Sequence, residues 1–210
     1  MASIVDRIID CGVVAVLRAD NPSQLMDVSK ALREGGVVAI EVTMTVPGAL
    51  KVIEEASAKM EDTIIGVGSV LDPETARAAI LAGAEYVVSP ILNKAVIEMA
   101  KRYGKAVMPA GFTPTEILNA WQAGADVVKV FPAGVGGPSY FKDILGPLPQ
   151  VKLMPTGGVD AKTTPEFIKN GAVAVGAGSA MIDKTAVANK DWASLTATAK
   201  SFVDAVAQAR

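Results

Sequence analysis

The sequence predicts an α/β protein, folded as a single (β/α)8 TIM barrel with one extra helix at its N-terminus. Short runs rich in β-branched residues alternate with helical patterns along all 210 residues. These runs are apolar throughout, which is typical of parallel strands covered by helices. No Ser/Pro-rich linker or low-complexity block interrupts them, and the length suits one barrel. We therefore expect residues 1–210 to form one domain.

The elements follow from the same pattern. A first helix is expected at Ala2–Asp10, and strands at Val13–Leu17, Val37–Thr43, Ile64–Val67, Tyr86–Ser89, Ala106–Pro109, Val127–Phe131, Lys152–Pro155 and Ala172–Val175. Glycines that close a helical pattern just before a strand support this spacing, as at positions 36, 83, 104, 124 and 171. An open doubly wound sheet is the alternative. It is less favoured because no Gly-x-Gly-x-x-Gly motif follows the first strand.

Charge and hydropathy exclude several classes of protein. The net charge is −2 with acids and bases interspersed, so there is no basic face for nucleic acid and no polybasic membrane patch. The longest charge-free stretches, 130–141 and 171–182, are too short to span a bilayer. The N-terminus lacks the order of a signal peptide. We expect a cytoplasmic protein without a nucleic-acid or membrane partner.

The absence of histidine narrows the chemistry further. It removes Ser-His and Cys-His nucleophile systems, His-ligated zinc and a histidine general base. The one cysteine, Cys11, cannot form an intramolecular disulfide. Carboxylates, lysine, tyrosine and bound water remain for acid-base work. We expect an enzyme that needs no metal and no cofactor.

Two ionisable residues lie in predicted apolar strands. Lys129 is flanked by Val127-Val128 and Val130-Phe131, and Glu41 follows Val37–Ile40. A low-dielectric environment disfavours an ammonium, so Lys129 is expected to be a free amine and a nucleophile for a ketone. Glu41 beside it could move protons. Two structural alternatives stay open: Lys129 reaches solvent at a strand end, or the two residues form a buried ion pair.

The predicted carboxyl ends of the strands meet at one face of a barrel, where its chemistry belongs. Arg18 ends the first strand and could hold a carboxylate by a two-pronged contact. Glycine-rich segments, 155–159 and 176–180, follow the seventh and eighth strands. Their backbone N–H groups predict a phosphate site. Tight turns alone are the alternative, but they do not explain the hydroxyls of Thr156 and Ser179.

Together these motifs resemble the class I 2-keto-3-deoxy-6-phosphogluconate (KDPG) aldolases, which often also cleave 4-hydroxy-2-oxoglutarate (KHG). The resemblance covers nearly the whole chain and is carried, in order, by Glu41-Val42-Thr43, Gly66–Val70, Val88-Ser89-Pro90, Lys129–Ala133, Pro155–Gly158 and Gly178-Ser179. It implies that Lys129 forms the Schiff base and that Glu41 is the general acid-base. It also implies a small phosphorylated keto-acid substrate and a homotrimer.

The remaining site residues are carried over from the same resemblance. Arg18, Thr43, Ser69, Pro90 and Phe131 are expected around the pyruvate portion and its carboxylate. The phosphate is expected at Thr156, Gly157, Gly158, Gly178 and Ser179. Many relatives have threonine at the position of Ser69. Some have a carboxylate-binding arginine at the position of Thr45, whereas others resemble this chain and have it at the end of the first strand.

Other functions compatible with the glycine-rich segments stay open. A non-covalent phosphate-binding barrel enzyme, such as an epimerase, an isomerase or a thiamine phosphate synthase-like transferase, would not need Lys129. A catalytically silent barrel used as a binding or assembly subunit is a third possibility, disfavoured because unused buried charges are costly. The sequence does not distinguish the gluconate from the galactonate epimer of the substrate, which depends on pocket shape.

Overall fold

The computed structural model describes residues 2–18 and 24–210, which form an α/β fold of parallel strands and surrounding helices. The strands are β1 Val13–Leu17, β2 Ala39–Thr43, β3 Ile64–Gly68, β4 Tyr86–Val88, β5 Ala106–Met108, β6 Ala110–Gly111, β7 Val128–Val130, β8 Leu153–Pro155 and β9 Val175–Ala177. The helices are α1 Ile4–Cys11, α2 Leu25–Glu34, α3 Ala49–Lys59, α4 Pro73–Leu81, α5 Lys94–Arg102, α6 Pro114–Gln122, α7 Ala133–Leu145, α8 Thr164–Lys169, α9 Lys184–Ala188 and α10 Trp192–Ala209.

The strands pair in parallel in two ladders. One ladder has the order β5-β4-β3-β2-β1-β9, and the other has the order β6-β7-β8. Only Pro109 separates β5 from β6 along the chain. Two isolated parallel bridges, Leu153 with Ala172 and Thr156 with Gly176, connect β8 to the segment that contains β9. The result is a curled parallel sheet.

The predicted strands all overlap observed ones; the first matches at both ends, and the other seven differ by one to three residues at one or both ends. Two of these differences have a clear physical reason. The fifth strand is split at Pro109, because proline has no N–H to continue a ladder. The last strand begins at Val175 rather than Ala172, since Ala172 makes only the isolated bridge to Leu153. The first helix begins at Ile4, where Ser3 and Asp6 form a capping box. The five helix-closing glycines have φ between 66° and 111°, as expected.

Two separate apolar clusters stabilise this fold. The larger one lies between the strands and the helices. The smaller one collects side chains from α1 and from the strands or the residues just before them: Ile8, Val14, Ala39, Ile64, Tyr86, Val88, Ala106, Met108, Val127, Met154 and Ala174. Side chains two residues further along a strand point to the same side. Glu41 and Lys129, two residues beyond Ala39 and Val127, therefore lie directly above this inner cluster.

No helix within residues 2–18 and 24–210 is long and apolar enough to cross a membrane.

Candidate active site

The polar side chains that the strands bury lie towards the strands' carboxyl ends. Glu41 is on β2, Lys129 is on β7, and Thr156 follows β8 directly, and each of the three is at most 4% exposed. Their inner neighbours on the amino-terminal side are apolar. The fold therefore places a lysine, a carboxylic acid and a hydroxyl above the apolar inner cluster. The sequence predicted such apolar surroundings for Lys129 and Glu41.

Lys129 has an apolar environment on its own strand and on both neighbours. It pairs in register with Ala110 of β6 and with Met154 of β8. Its Nζ lies 5.1 Å from the centre of the Phe131 ring, within the range of a cation–π contact when the amine is protonated. A direct Glu41–Lys129 ion pair is not among the ion pairs of the described residues. That structural alternative for Lys129 is therefore not supported.

Glu41 is an acid whose side chain is buried away from solvent. Its carboxylate lies over Gly68 of the neighbouring strand β3, where a methyl group would overlap it. Burial raises the pKa of Glu41, and the positive charges of Lys129 and Arg18 partly oppose that rise. A carboxyl group with a raised pKa holds its proton to higher pH, which suits a group that must both accept and donate a proton. Its Oε2 atom has no hydrogen-bond partner.

The hydroxyl of Thr43 links the ends of two strands. Its Oγ1 lies 3.4 Å from the carbonyl oxygen of Leu17 on β1 and 2.7 Å from Oγ1 of Thr45. Thr45 was not predicted as a site residue in this chain; it lies in the turn that follows β2 and is brought to Thr43 by this contact. The carboxyl end of β2 therefore presents two hydroxyls beside Glu41.

Ser69 and Pro90 follow β3 and β4 and are half-buried. Ser69 has φ 59°, a left-handed conformation that residues other than glycine seldom adopt. Such backbone strain concentrates at functional sites. Ser69 and Pro90 do not line the two cavities described next.

The two glycine-rich segments share one cavity of about 260 Å³. Its lining includes the five predicted phosphate residues together with Arg18 and Phe131, namely Arg18, Phe131, Thr156, Gly157, Gly158, Gly178 and Ser179. Gly157 and Gly158 have φ of 81° and 78°. Gly157 also accepts a hydrogen bond of 2.8 Å from the N–H of Gly134, at the start of α7. The segment is thus a tight turn that packs against the start of α7.

A second cavity of about 360 Å³ adjoins the first, since both include Arg18, Gly178 and Ser179. Thr45 lines this second cavity. Arg18 is exposed, so its guanidinium can meet a ligand while its charge also acts on Glu41. The described residues contain no group of three or more His, Cys, Asp or Glu side chains arranged to hold a metal ion.

Asp160 was missed by the sequence analysis. Its Oδ1 accepts hydrogen bonds from the N–H groups of Lys162 and Thr163, at 2.9 and 2.8 Å, and these bonds lower its pKa, that from Thr163 most. Asp160 lines the smaller cavity just beyond Gly158. The Asp-x-x-Thr spacing after a glycine pair was the available signal, because Asp and Thr commonly form such local turns.

An α/β fold with a buried lysine and acid towards the carboxyl ends of parallel strands, beside a cavity lined by glycine-rich segments, is typical of a class of carbonyl-cleaving enzymes. Comparison with known proteins identifies the family. Residues 4–198 match the model of the KDPG and KHG aldolase family, and the chain belongs to this family. It is therefore an aldolase, a lyase.

Curated proteins that are similar to this chain are also named as aldolases of this family. The chain is 31% identical to 2-dehydro-3-deoxy-phosphogluconate aldolase of Pseudomonas aeruginosa over 94% of this chain and 90% of that protein. It is 36% identical to a probable 2-dehydro-3-deoxy-6-phosphogalactonate aldolase of Rhizobium meliloti over 80% of this chain and 81% of that protein. Both of the epimers left open by the sequence are therefore represented among its relatives.

Solved structures agree with the fold. KDPG aldolase from Legionella pneumophila, with pyruvate captured as a covalent carbinolamine intermediate, superposes with a TM-score of 0.89 at 27% identity, covering 95% of this chain and 98% of that one. A cube-shaped protein cage designed by fusing symmetric oligomeric domains superposes with a TM-score of 0.87 at 29% identity, covering 94% of this chain and 73% of that one.

Proposed function

We propose that the protein cleaves KDPG to pyruvate and glyceraldehyde 3-phosphate through a Schiff base on Lys129. The observation that carries this proposal is the burial of Lys129 on β7, with apolar register partners and the acid Glu41 near enough for their charges to interact. An amine in such a site can attack a ketone when it is uncharged, and an adjacent acid can move the protons that the reaction requires.

The proposed reaction begins with attack of the Lys129 amine on the C2 ketone to give a carbinolamine, which loses water to become an iminium. Glu41, directly or through a water, removes the proton of the C4 hydroxyl. The C3–C4 bond then breaks, glyceraldehyde 3-phosphate leaves, and the bonding electrons flow into the iminium to form an enamine. Protonation at C3 and hydrolysis release pyruvate and restore the free amine.

The other residues are proposed to position the substrate. Arg18 binds the carboxylate by a two-pronged contact, and Thr43, Ser69, Pro90 and Phe131 surround the pyruvate portion. The phosphate binds at Thr156, Gly157, Gly158, Gly178 and Ser179. The cavity that the five phosphate residues share with Phe131 supports a phosphate position close to the lysine strand. Binding energy from a remote phosphate can orient the bond that is cleaved.

We further propose that residues 1–210 form a single domain and that its strands close into a complete (β/α)8 barrel. The continuity of β5 and β6 around Pro109 and the two bridges between β8 and the β9 segment support closure. A homotrimer is proposed from the family resemblance, and the cage built from oligomeric domains supports association of this fold. Light scattering of the purified protein would measure the number of chains in the assembly.

A cytoplasmic location stays a prediction.

Release of pyruvate from KDPG, from its galactonate epimer and from KHG would test the function. We expect turnover of at least one phosphorylated epimer, and its loss in Lys129→Ala by about 10³-fold or more with the fold unchanged. Lys169→Ala, at an exposed lysine paired with Glu166, is the matched control and should retain activity. Near-normal turnover by Lys129→Ala would reject the Schiff base and favour a non-covalent phosphate-binding enzyme. Phosphate binding without turnover would favour a silent barrel.

A further inference from the structure

Tyr86 places a hydroxyl group in the apolar inner cluster. Its side chain is fully buried, and its Oη atom has no hydrogen-bond partner. The other members of that cluster are alanine, valine, isoleucine and methionine. Burying a hydroxyl without a hydrogen bond is unfavourable, and phenylalanine would fill the same space without that cost. The hydroxyl of Tyr86 therefore requires an explanation.

The geometry of β3 brings this hydroxyl towards Glu41. Glu41, Gly66, Tyr86 and Ala106 form one row across four neighbouring strands, because they pair in register. The Tyr86 ring covers Gly66, where a methyl group would overlap its Cε1 and Cζ atoms. The Glu41 carboxylate covers Gly68 on the same strand. The two side chains thus occupy successive glycine positions on one face of β3, about 7 Å apart along the strand.

Each of these two side chains has an unpaired polar atom. Oη of Tyr86 and Oε2 of Glu41 are both buried without a hydrogen-bond partner. One is a donor and the other is an acceptor when Glu41 is ionised. Side chains at successive glycine positions on one face are neighbours, so rotation of the two side chains can bring the donor to the acceptor directly, or one bridging water can join them across as much as about 5.6 Å.

We infer that Tyr86 is a positioning residue for Glu41, and that its hydroxyl donates a hydrogen bond, directly or through one buried water, to the Glu41 carboxylate. This hydrogen bond stabilises the ionised acid and fixes the orientation of its second oxygen. Tyr86 lies over Gly66, on the amino-terminal side of Glu41 over Gly68, so its proposed role is exerted through Glu41 and not on the substrate. The inference rests on the proposed function for the role of Glu41 in catalysis, but not for the hydrogen bond itself.

The charged and titratable groups around the pair are consistent with this arrangement. Lys129 and Arg18 face Glu41 and favour its ionised form. Burial raises the pKa of Tyr86, and the negative charges of Glu41 and then Glu85 raise it further. Tyr86 therefore keeps its proton, and remains a hydrogen-bond donor, over the pH range in which Glu41 titrates.

Tyr86→Phe removes the hydroxyl and keeps the ring over Gly66. Without the donor, the ionised form of Glu41 is less stable, so the pKa of Glu41 should rise by about half a unit to one unit. The acidic limb of the pH profile of kcat/KM should move to higher pH by the same amount. Tyr103→Phe is the matched control. It removes the hydroxyl of an exposed tyrosine, which accepts a hydrogen bond from Nε of Arg77.

The deciding measurement is the titration of Glu41 by NMR in protein labelled with ¹³C at the glutamate carboxyl carbons, with the Glu41 signal assigned by its loss in Glu41→Gln. A titration midpoint at higher pH in Tyr86→Phe, and an unchanged one in Tyr103→Phe, is the expected result. Coincident titrations of wild type and Tyr86→Phe would overturn the inference. Because this readout needs no turnover, a wild-type protein that fails to cleave any substrate would refute the proposed function and leave this test intact.

Discussion

Glu41 is an acid that the protein keeps in surroundings where its charge is disfavoured. Its carboxylate is covered on one side by the β3 backbone at Gly68 and lies above apolar side chains, and its nearest opposite charges are Lys129 and Arg18. Structural acids are seldom held this way, because a buried ionised group must be compensated or must take up a proton. The position is better explained by proton transfer than by stability.

This explanation predicts that Glu41 reduces stability at neutral pH. Its folded-state pKa is raised, so the folded protein holds the proton more tightly than the unfolded chain does. The resulting loss of folding free energy begins as pH rises through the ordinary glutamate value near 4.5 and is complete above the raised folded value. Glu41→Gln should therefore melt at a higher temperature than wild type at pH 8 and at nearly the same temperature at pH 4. Calorimetry at both pH values measures this.

The pH comparison carries its own control, since a change in packing alone would shift the melting temperature equally at both values. A Glu41→Gln variant that is less stable than wild type at pH 8 would show that the Glu41 charge is a net source of stability. In that case the explanation of Glu41 by proton transfer would lose this support.

Gly68 is predicted to be essential for the position of Glu41. A methyl group in Gly68→Ala must displace the carboxylate, and a displacement of about 1 Å can cost about 10²-fold in rate. We expect kcat to fall by about this factor while the protein stays folded, as judged by circular dichroism. Gly146→Ala is the control, because a methyl group there would contact only backbone oxygens 3.6 and 3.7 Å away. Equal activity of both variants would contradict the placement of Glu41.

At the scale of elements, the turn from 155 to 159 joins β8 to the cavity in which we propose that the phosphate binds. Gly158→Ala would place a methyl group 2.9 Å from Cα of Gly134 and require an alanine at φ 78°. Because strain of this kind costs about 1–3 kcal/mol, we expect KM for phosphorylated substrate to rise by roughly 10-fold or more. Cleavage of unphosphorylated KHG should change much less. A similar rise in KM for both substrates would show that the turn does not serve the phosphate.

Sequence reasoning located the elements because their signals are local. Each apolar run, each helix-closing glycine and each ionisable residue in an apolar strand can be recognised from its immediate neighbours in the sequence. The strands and the burial of Lys129 and Glu41 could therefore be predicted. The placement of Tyr86 over Gly66 could not, since it depends on the register between strands that are distant in sequence. The interruption between β5 and β6 could have been predicted from Pro109, because proline cannot donate a hydrogen bond to a strand ladder.

At the scale of the whole molecule, the two ends of the described chain meet. Nη1 of Arg210 donates a hydrogen bond of 2.7 Å to the carbonyl oxygen of Asp10, and Nη2 donates to the carbonyl oxygens of Ile9 and Val173. These bonds satisfy carbonyl groups at the end of α1 and fix α10 beside the segment before β9. The contact lies away from the carboxyl ends of the strands.

Arg210→Ala is therefore expected to lower stability without lowering activity. Loss of hydrogen bonds from an exposed charged group should cost about 1 kcal/mol, which corresponds to a fall of about 2–4 °C in melting temperature for a chain of this size. Arg102→Ala, at an exposed arginine in the last turn of α5, is the control for loss of charge. A loss of kcat in Arg210→Ala that exceeds its loss of folded protein would show coupling of the chain ends to the site.

The central claim is that Lys129 is the nucleophile that forms a Schiff base with a keto acid. Incubation of the protein with pyruvate and borohydride, followed by intact mass measurement and peptide mapping, tests it most directly. The account predicts one pyruvate-derived adduct per chain, located on Lys129 and absent from Lys129→Ala, whereas the exposed Lys169 stays unmodified. A folded protein that forms no adduct in excess pyruvate, or an adduct on another lysine, would contradict the account.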